Sequence, residues 1–188
     1  MAESESRLHP YVNHLGIKHQ IIRLTWNFTW TLGARWLPRS IGSGWKRFLL
    51  RLFGAKIAPN AVIYSSTRIY YPANLTMRPY SCLASNVECY NVDSIILGEH
   101  ATVSQGAMLC TASHDIYDAD NRLITAPIEI KKDAWIGARA FVGMGVTIGE
   151  GAVLGACSAT FKNIDSWTVA GGNPAKPIKK RAIRHNCN

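Results

Sequence analysis

Aliphatic residues recur every six positions along much of the chain, and this period limits the possible folds more than any other feature. The first two runs are Ile57, Ile63, Ile69 and Leu75, and then Leu97, Val103 and Leu109. The third run is Ile130, Ile136, Val142, Ile148 and Leu154, with Gly or Ala after most of its members. Neither an α-helix nor an alternating strand has this period. It predicts a three-sided coil with inward aliphatic residues, small residues at the corners, and stacked turns that pair as parallel strands about 4.8 Å apart.

The composition fits one folded domain with appendages. The chain has 188 residues, of which 47% are apolar, and this content excludes disordered and collagen-like chains. The net charge of +9 is uneven: residues 1–56 carry +7, residues 57–174 carry −3 and residues 175–188 carry +5. A uniform nucleic-acid-binding domain would not have an acidic centre between two basic ends. We therefore expect no nucleic acid partner.

The cysteines and the N-terminal segment indicate the cellular compartment in which the protein resides. Five cysteines are widely spaced without a C-x-x-C pair, which favours neither a disulfide framework nor a zinc site. The first ten residues lack the apolar centre of a signal peptide. The longest uncharged, mostly apolar stretch near this end, Leu24–Ala34, has 11 residues and is too short to span a bilayer. We expect a reduced, cytoplasmic protein.

Residues 17–53 are predicted to be helical. Their apolar stripe contains Ile21, Ile22, Trp26, Trp30 and Leu37. Pro38 and residues 40–44 predict a break, after which residues 45–53 form a second amphipathic helix that Gly54 ends. Two interpretations stay open: the helices cover an end of the repeat stack, or their aromatic and basic side chains make peripheral contact with the inner face of a membrane. We favour the covering role because repeat stacks need caps.

These patterns divide the chain into three parts. Residues 1–54 are predicted to form an N-terminal helical capping segment, and residues 55–174 a mainly β repeat domain. Residues 175–188 are predicted to form a basic C-terminal tail.

The repeat is irregular in its first half and is interrupted once. It slips around Ser81–Cys82 and again near Ile95–Leu97. It then stops over residues 115–127, which are rich in polar and turn-forming residues. A loop thrown out from a rigid coil is a common way to build a binding cleft, so we expect a site here, with His114 at its root.

The repeat and its flanks resemble the hexapeptide-repeat acyltransferases. The resemblance runs from about residue 45 to 181 and rests on segments such as SQGAMLCTASHD, DAWIGARAFVGMGVTIGEGAVLGA and WTVAGGNPAKPIKKR. Within the superfamily these segments look most like the colanic acid biosynthesis acetyltransferases, which O-acetylate sugars during exopolysaccharide assembly. The resemblance implies a left-handed parallel β-helix, acetyl-CoA as acyl donor without a metal, and a homotrimer with sites between subunits.

The resemblance also implies that His114 is the catalytic base. The family carries its base in a T-x-S/T-H segment before this loop, and residues 111–114 match that segment. An imidazole can take the acceptor hydroxyl proton while the oxygen attacks the thioester carbonyl, and then return a proton to the CoA sulfur. This scheme needs no covalent acyl-enzyme. His100 lies at a predicted coil corner and is interpreted as structural.

Four residues near this loop are candidates for acceptor binding. Asn91 matches a polar position that contacts the sugar in related acetyltransferases, and Tyr90 and Asp93 flank it. Asp115 adjoins the base. Two alternatives stay open, namely that Asn91 is a buried residue satisfying the backbone of the coil and that Asp115 caps a turn.

Six residues match positions that hold the donor in the family. Trp135 matches a ring near the catalytic centre, and Ala138 and Ala156 match positions whose backbone contacts the CoA arm. The basic residues that match phosphate-binding positions are Lys162, Lys176 and Lys179. The alternatives are corner packing for the alanines and a solvated tail for the lysines.

We predict an acetyl-CoA-dependent O-acetyltransferase that acts on a hydroxyl of a sugar or exopolysaccharide intermediate. One alternative is a non-catalytic scaffold or membrane-associated assembly factor on the same fold. A γ-class carbonic anhydrase is less favoured, because its zinc needs about three histidine ligands across a subunit boundary. The predicted coil contains only His100 and His114.

Overall fold

The computed structural model describes residues 16–37 and 39–183. Residues 1–15 of the predicted capping segment and residues 184–188 of the predicted tail lie outside the described residues.

The described residues form two α-helices followed by a stack of short strands. The helices are α1 (Ile17–Gly33) and α2 (Arg39–Leu52), and a single 3-10 turn covers Pro72–Asn74. The strands are β1 (Lys56–Ile57), β2 (Val62–Ile63), β3 (Arg68–Ile69), β4 (Leu75–Met77), β5 (Cys82–Leu83), β6 (Glu88–Tyr90), β7 (Ile95–Leu97), β8 (Thr102–Val103), β9 (Met108–Cys110), β10 (Ala112–His114), β11 (Leu123–Thr125), β12 (Ile128–Ile130), β13 (Trp135–Ile136), β14 (Phe141–Val142), β15 (Thr147–Ile148), β16 (Val153–Leu154), β17 (Ala159–Thr160), β18 (Thr168–Gly172) and β19 (Ala175–Lys180).

The strands form three parallel sheets, which are the three faces of one coil. The first face is ordered β1-β4-β7-β12-β15, the second β2-β5-β8-β13-β16-β18, and the third β3-β6-β9-β14-β17. Each face takes one strand from each turn of the coil, so the backbone hydrogen bonds of a turn are made to the turns above and below it. Within most strands of the three faces the residue that points inward is apolar, and in β17 the position in register with Val142 is the buried Thr160.

The inward residues fill a single narrow core. Side chains such as those of Leu83, Val103, Ile136 and Leu154 are fully buried. The corners are tight where successive turns cross, and a Cβ at Gly137 would lie 2.5 Å from the backbone nitrogen of Ala156. Gly98, Gly137 and Gly149, which each follow an aliphatic residue of the repeat, are required by this close approach of backbones.

The irregular part of the repeat lies elsewhere than the sequence predicted. Met77 pairs with Ile57 and continues through Leu83 without a slip at Ser81–Cys82. The first slip lies before β4, where the 3-10 turn lengthens the step from Ile69 to its next equivalent residue. The second lies between β6 and β7, near the predicted position. Both slips occupy the corner between the third and first faces, which is also the corner that carries the interruption after β9.

The two helices pack on different parts of the coil. Helix α2 contacts β1 and β2 of the first turn, as a cap does. Helix α1 instead lies along the third face, where the Trp26 indole donates to the Ile69 carbonyl (2.7 Å) and the Trp30 indole donates to the Thr67 carbonyl (3.1 Å). Helix α2 begins at Arg39 and includes residues 40–44, so the predicted break over residues 40–44 is wrong.

The basic segment after the last turn is ordered through residue 180. Strand β19 returns antiparallel to β18 through a cis Asn173–Pro174 bond and widens the second face. It therefore extends the coil as a hairpin with exposed lysines.

Candidate active site

The interrupted corner of the coil carries a β-hairpin. Strands β10 and β11 pair antiparallel, with His114 opposite Leu123. The predicted loop over residues 115–127 therefore comprises the turn of this hairpin and its second strand, β11. Its turn is held by the Asp118 carboxylate, which pairs with the Arg122 guanidinium. The hairpin fixes His114 where the chain leaves the rigid third face.

The ring of His114 is exposed and oriented by the hairpin turn. Its Nδ1 lies 2.6 Å from the carbonyl oxygen of Asn121. Because a carbonyl can only accept, Nδ1 is the donor in this contact. In the neutral ring the lone pair is therefore on Nε2, which is the nitrogen that can take a proton.

The backbone under this corner is tied together by Thr111. Its hydroxyl donates to the Tyr90 carbonyl (3.0 Å) and accepts from the Asp93 backbone N–H (2.9 Å). The half-buried side chains of Tyr90 and Asp93 therefore belong to the same corner as the root of the hairpin. The Asp93 carboxylate accepts from the Ser94 N–H at 2.6 Å.

Two acceptor candidates have structural roles in this geometry. Asn91 is fully buried, and its amide both accepts from the Tyr71 N–H (3.0 Å) and donates to the Tyr71 carbonyl (2.7 Å). This arrangement matches the alternative interpretation, in which Asn91 is a buried residue that satisfies the backbone of the coil. The Asp115 carboxylate accepts from the Tyr117 N–H at 3.0 Å, which is the turn-capping geometry.

The donor candidates lie mainly on the second face and its far corner. The Trp135 ring is half-exposed on β13, where its Nε1 donates to Ser104 at 2.8 Å. Ala138 and Ala156 follow β13 and β16 at the corner toward the third face, in adjacent turns. Lys176 and Lys179 are exposed on β19, beside the same face.

A single subunit does not bring all of these residues together. His114 lies at the corner between the third and first faces, whereas Ala138 and Ala156 lie at the corner between the second and third faces. Lys162 is exposed after β17, on the His114 corner but two turns further along the coil. His114 and the donor candidates other than Lys162 thus occupy different parts of one prism.

The structure also contains a cleft that the sequence did not predict. It has a volume of about 270 Å³ between α1 and the third face. Its lining includes Trp26, Trp30, Arg35, Tyr70, Glu88 and Tyr90. The Tyr70 ring meets Tyr90 edge-on at 4.8 Å and has the Arg23 guanidinium 3.7 Å above its centre. The sequence feature that could have indicated this cleft is the spacing of the two tyrosines, because positions 70 and 90 lie next to each other in successive turns of the coil.

His100 has the geometry of a corner residue. It has a φ of +56° and its Nδ1 lies 3.2 Å from the Asp133 carboxylate. Within residues 16–37 and 39–183, no three His, Cys, Asp or Glu side chains cluster closely enough to hold a metal ion.

Comparison with known proteins identifies the family. The chain is 41% identical over 160 residues to the putative colanic acid biosynthesis acetyltransferase WcaF of Escherichia coli, and the match covers 85% of this chain and 87% of that protein. The chain belongs to the hexapeptide-repeat acetyltransferase family. It is accordingly an acetyltransferase, as predicted. No family model matches the chain.

Solved structures of hexapeptide-repeat proteins share the fold. A maltose O-acetyltransferase from Clostridium difficile superimposes with a TM-score of 0.74 at 25% identity, covering 89% of this chain and 90% of that one. A hexapeptide-repeat acetyltransferase from Vibrio cholerae, in complex with acetyl-CoA, gives 0.72 at 22% identity and covers 97% and 100% of the two chains. The predicted fold class, a mainly β left-handed parallel β-helix with short N-terminal helices, is confirmed.

Proposed function

We propose that this acetyltransferase transfers the acetyl group of acetyl-CoA to a hydroxyl of a sugar or exopolysaccharide intermediate. The observation that carries the proposal is the His114 ring, whose Nδ1 donates to Asn121 on a hairpin beside Tyr90 and Asp93. The WcaF relative, named for colanic acid biosynthesis, and the maltose O-acetyltransferase favour a sugar acceptor. The Vibrio cholerae complex favours acetyl-CoA as the donor.

His114 acts as a general base in this proposal. Its Nε2 takes the proton of the acceptor hydroxyl as the oxygen attacks the thioester carbonyl. The carbon–sulfur bond then breaks, and the imidazolium returns the proton to the departing sulfur, so that CoA and the acetyl ester are released. The Asn121 carbonyl stabilises the doubly protonated ring, because it accepts from the Nδ1 proton throughout.

The remaining candidates take supporting roles. The acceptor lies against Tyr90 and Asp93, near the mouth of the aromatic cleft. The donor extends past Trp135 along the corner of Ala138 and Ala156, where small side chains let it approach the backbone.

The exposed lysines pair with the donor phosphates. The residues with this proposed role are Lys162, Lys176 and Lys179. Because His114 lies on a different corner from every donor candidate except Lys162, the proposal includes a homotrimer in which each site forms between two subunits.

The first experiment measures release of the CoA thiol from acetyl-CoA with a panel of sugars and glycosides. We expect acceptor-dependent release by the wild type, and a decrease of about 10²-fold or more in His114→Ala, the usual loss for a general base. His100→Ala is the matched control, since it removes a histidine from an exposed corner and should keep the wild-type rate.

Three outcomes would contradict the proposal. Release that is unchanged in His114→Ala would remove this residue as the base. Release without any dependence on a sugar would argue against the acceptor class. No turnover with any acceptor, together with no binding of acetyl-CoA by calorimetry, would favour a scaffold.

A further inference from the structure

The two N-terminal helices share an exposed apolar surface. We call it the apolar helical surface; it consists of Ile17, Ile21, Leu24, Phe28, Leu32, Trp36, Trp45, Phe48 and Leu52, and each of these residues is between 47% and 78% exposed. On α1 the spacing of three and four residues places its five members on one side of the helix.

This surface is continuous across the two helices. The Trp45 indole of α2 donates to the Gly33 carbonyl at the end of α1, at 2.8 Å. Its ring stacks on Phe48 with the centroids 5.4 Å apart. The aromatic side chains of α2 therefore extend the stripe of α1.

Packing on the coil does not explain the surface. Helix α1 already buries Trp26 and Trp30 against the third face. A helix on the surface of a soluble protein carries polar side chains on the opposite side, whereas α1 carries Leu24 and Phe28 there. Contiguous apolar patches of this kind mark sites of interaction.

The charge around the surface indicates the chemistry of the partner. Residues 6–87 contain eleven Lys and Arg and no Asp or Glu. Lys18 and Arg35 of this segment are exposed on or beside α1, and Lys56 is exposed after α2. Such a surface is complementary to an extended anionic one.

We propose that the apolar helical surface docks on a bilayer that contains anionic phospholipid. Trp and Phe insert at the boundary of headgroups and acyl chains, and the basic residues pair with the phosphates. Among the described residues, neither helix could span a bilayer. This proposal does not depend on the identity of the acceptor or on the role of His114.

A second copy of this chain bound through a two-fold axis is a less favoured occupant. Two copies related by a two-fold axis through this surface would bring the cations of one copy close to those of the other. The first acidic residue after position 5 is Glu88, so residues 6–87 supply no acid to compensate them.

The test is flotation of the full-length protein with vesicles of phosphatidylcholine alone or mixed with phosphatidylglycerol. We expect the wild type to float with the mixed vesicles, and binding to weaken as salt rises. Leu24→Gln combined with Phe28→Gln should lower the partition coefficient by about tenfold or more, because both apolar side chains leave the interface. The matched control is Ile116→Gln with Tyr117→Gln, which removes two highly exposed apolar side chains from the hairpin and should bind like the wild type.

Folding and assembly are measured on the same samples. Thermal melting shows whether the Leu24 and Phe28 variant is folded, and Leu32→Gln combined with Trp36→Gln replaces it if it is not. Light scattering gives the mass of each variant. The proposal is overturned if the wild type does not bind mixed vesicles, or if both helix variants bind as well as the wild type. Smaller assemblies of the helix variants, together with no binding of the wild type to mixed vesicles, would instead assign the surface to contact between copies of the chain.

Discussion

Asn91 gives a prediction at the scale of the residue. Its buried amide makes two hydrogen bonds to the Tyr71 backbone. Asn91→Ala removes both and leaves the half-buried Tyr71 N–H without this acceptor, at a cost of about 1–3 kcal/mol, whereas the Tyr71 carbonyl still accepts from the Asn74 N–H (3.1 Å). We expect a melting temperature lower by several degrees, measured by circular dichroism, with an unchanged KM for the acceptor.

The control for Asn91 is Asn60→Ala, because Asn60 is an exposed residue of a turn. Its melting temperature should stay within about a degree of the wild type. If Asn91→Ala instead raised KM for the acceptor and left melting unchanged, the acceptor-binding interpretation of Asn91 would be restored.

The same corner shows what the sequence could predict about single residues. His114 was recognisable because its segment and the interruption after it are both local features. The direction of the Asn91 side chain was not, since it depends on two additional residues in the corner between β6 and β7. A shift of one position in this region exchanges an inward residue for an outward one. An alignment that is wrong by one position therefore interchanges the roles expected for Tyr90 and Asn91.

At the scale of the element, two glycines differ in whether their position requires a residue without a side chain, one in the coil and one in a helix. A Cβ at Gly137 would lie 2.5 Å from Ala156 nitrogen and 2.8 Å from the Leu154 carbonyl oxygen, and neither backbone atom can move cheaply. We expect Gly137→Ala to destabilise the protein by about 1–3 kcal/mol. Gly44 is exposed within α2 with no atom within 4 Å of the added Cβ, so Gly44→Ala should stabilise by about 0.5–1 kcal/mol. Denaturant unfolding measures both, and equal effects would contradict the close-approach argument.

Helix α1 should dock less firmly at low pH. Burial, and secondarily the charge of Arg23, lower the pKa of His19, whose ring stacks on Tyr71 at 4.4 Å. A lowered pKa means that protonation is easier in the undocked state. The stability that His19 contributes is therefore present above the ordinary histidine pKa of about 6.5 and is lost as the pH falls below it.

The measurement is the melting temperature of the wild type and of His19→Gln at pH 7.5 and 5.5. The comparison uses the change with pH of each protein, because Gln also removes the stacking on Tyr71. We expect the wild type to lose more stability between the two pH values than the variant does. Parallel changes would show that His19 is not the titrating group.

The elements were predictable wherever a local period determined them. The regular run from Ile130 to Leu154 became β12–β16 as expected. The position of α1 was not predictable, because the indole donors of Trp26 and Trp30 bind carbonyls of β3 and its preceding turn, about 40 residues away. The strand in the basic segment was missed for a similar reason, since its partner β18 supplies the pairing.

At the scale of the whole molecule, the separation of candidate residues predicts the assembly. His114 and the donor residues of one chain, Lys162 excepted, occupy different parts of the prism. Neighbours around a three-fold axis can place one corner of a subunit against another corner of the next. A site of this kind has its base from one subunit and most of its donor contacts from another.

Complementation between variants tests this arrangement. His114→Ala removes the base, and Lys176→Glu combined with Lys179→Glu reverses the charge on β19. Each variant alone should have little acetyl transfer. If base and donor residues come from different subunits, about one in four of the interfaces in trimers reassembled from an equal mixture has both an intact base and intact lysines. We therefore expect the mixture to release CoA at about a quarter of the wild-type rate. Sites built within one subunit would give none, because every chain in the mixture carries one defect.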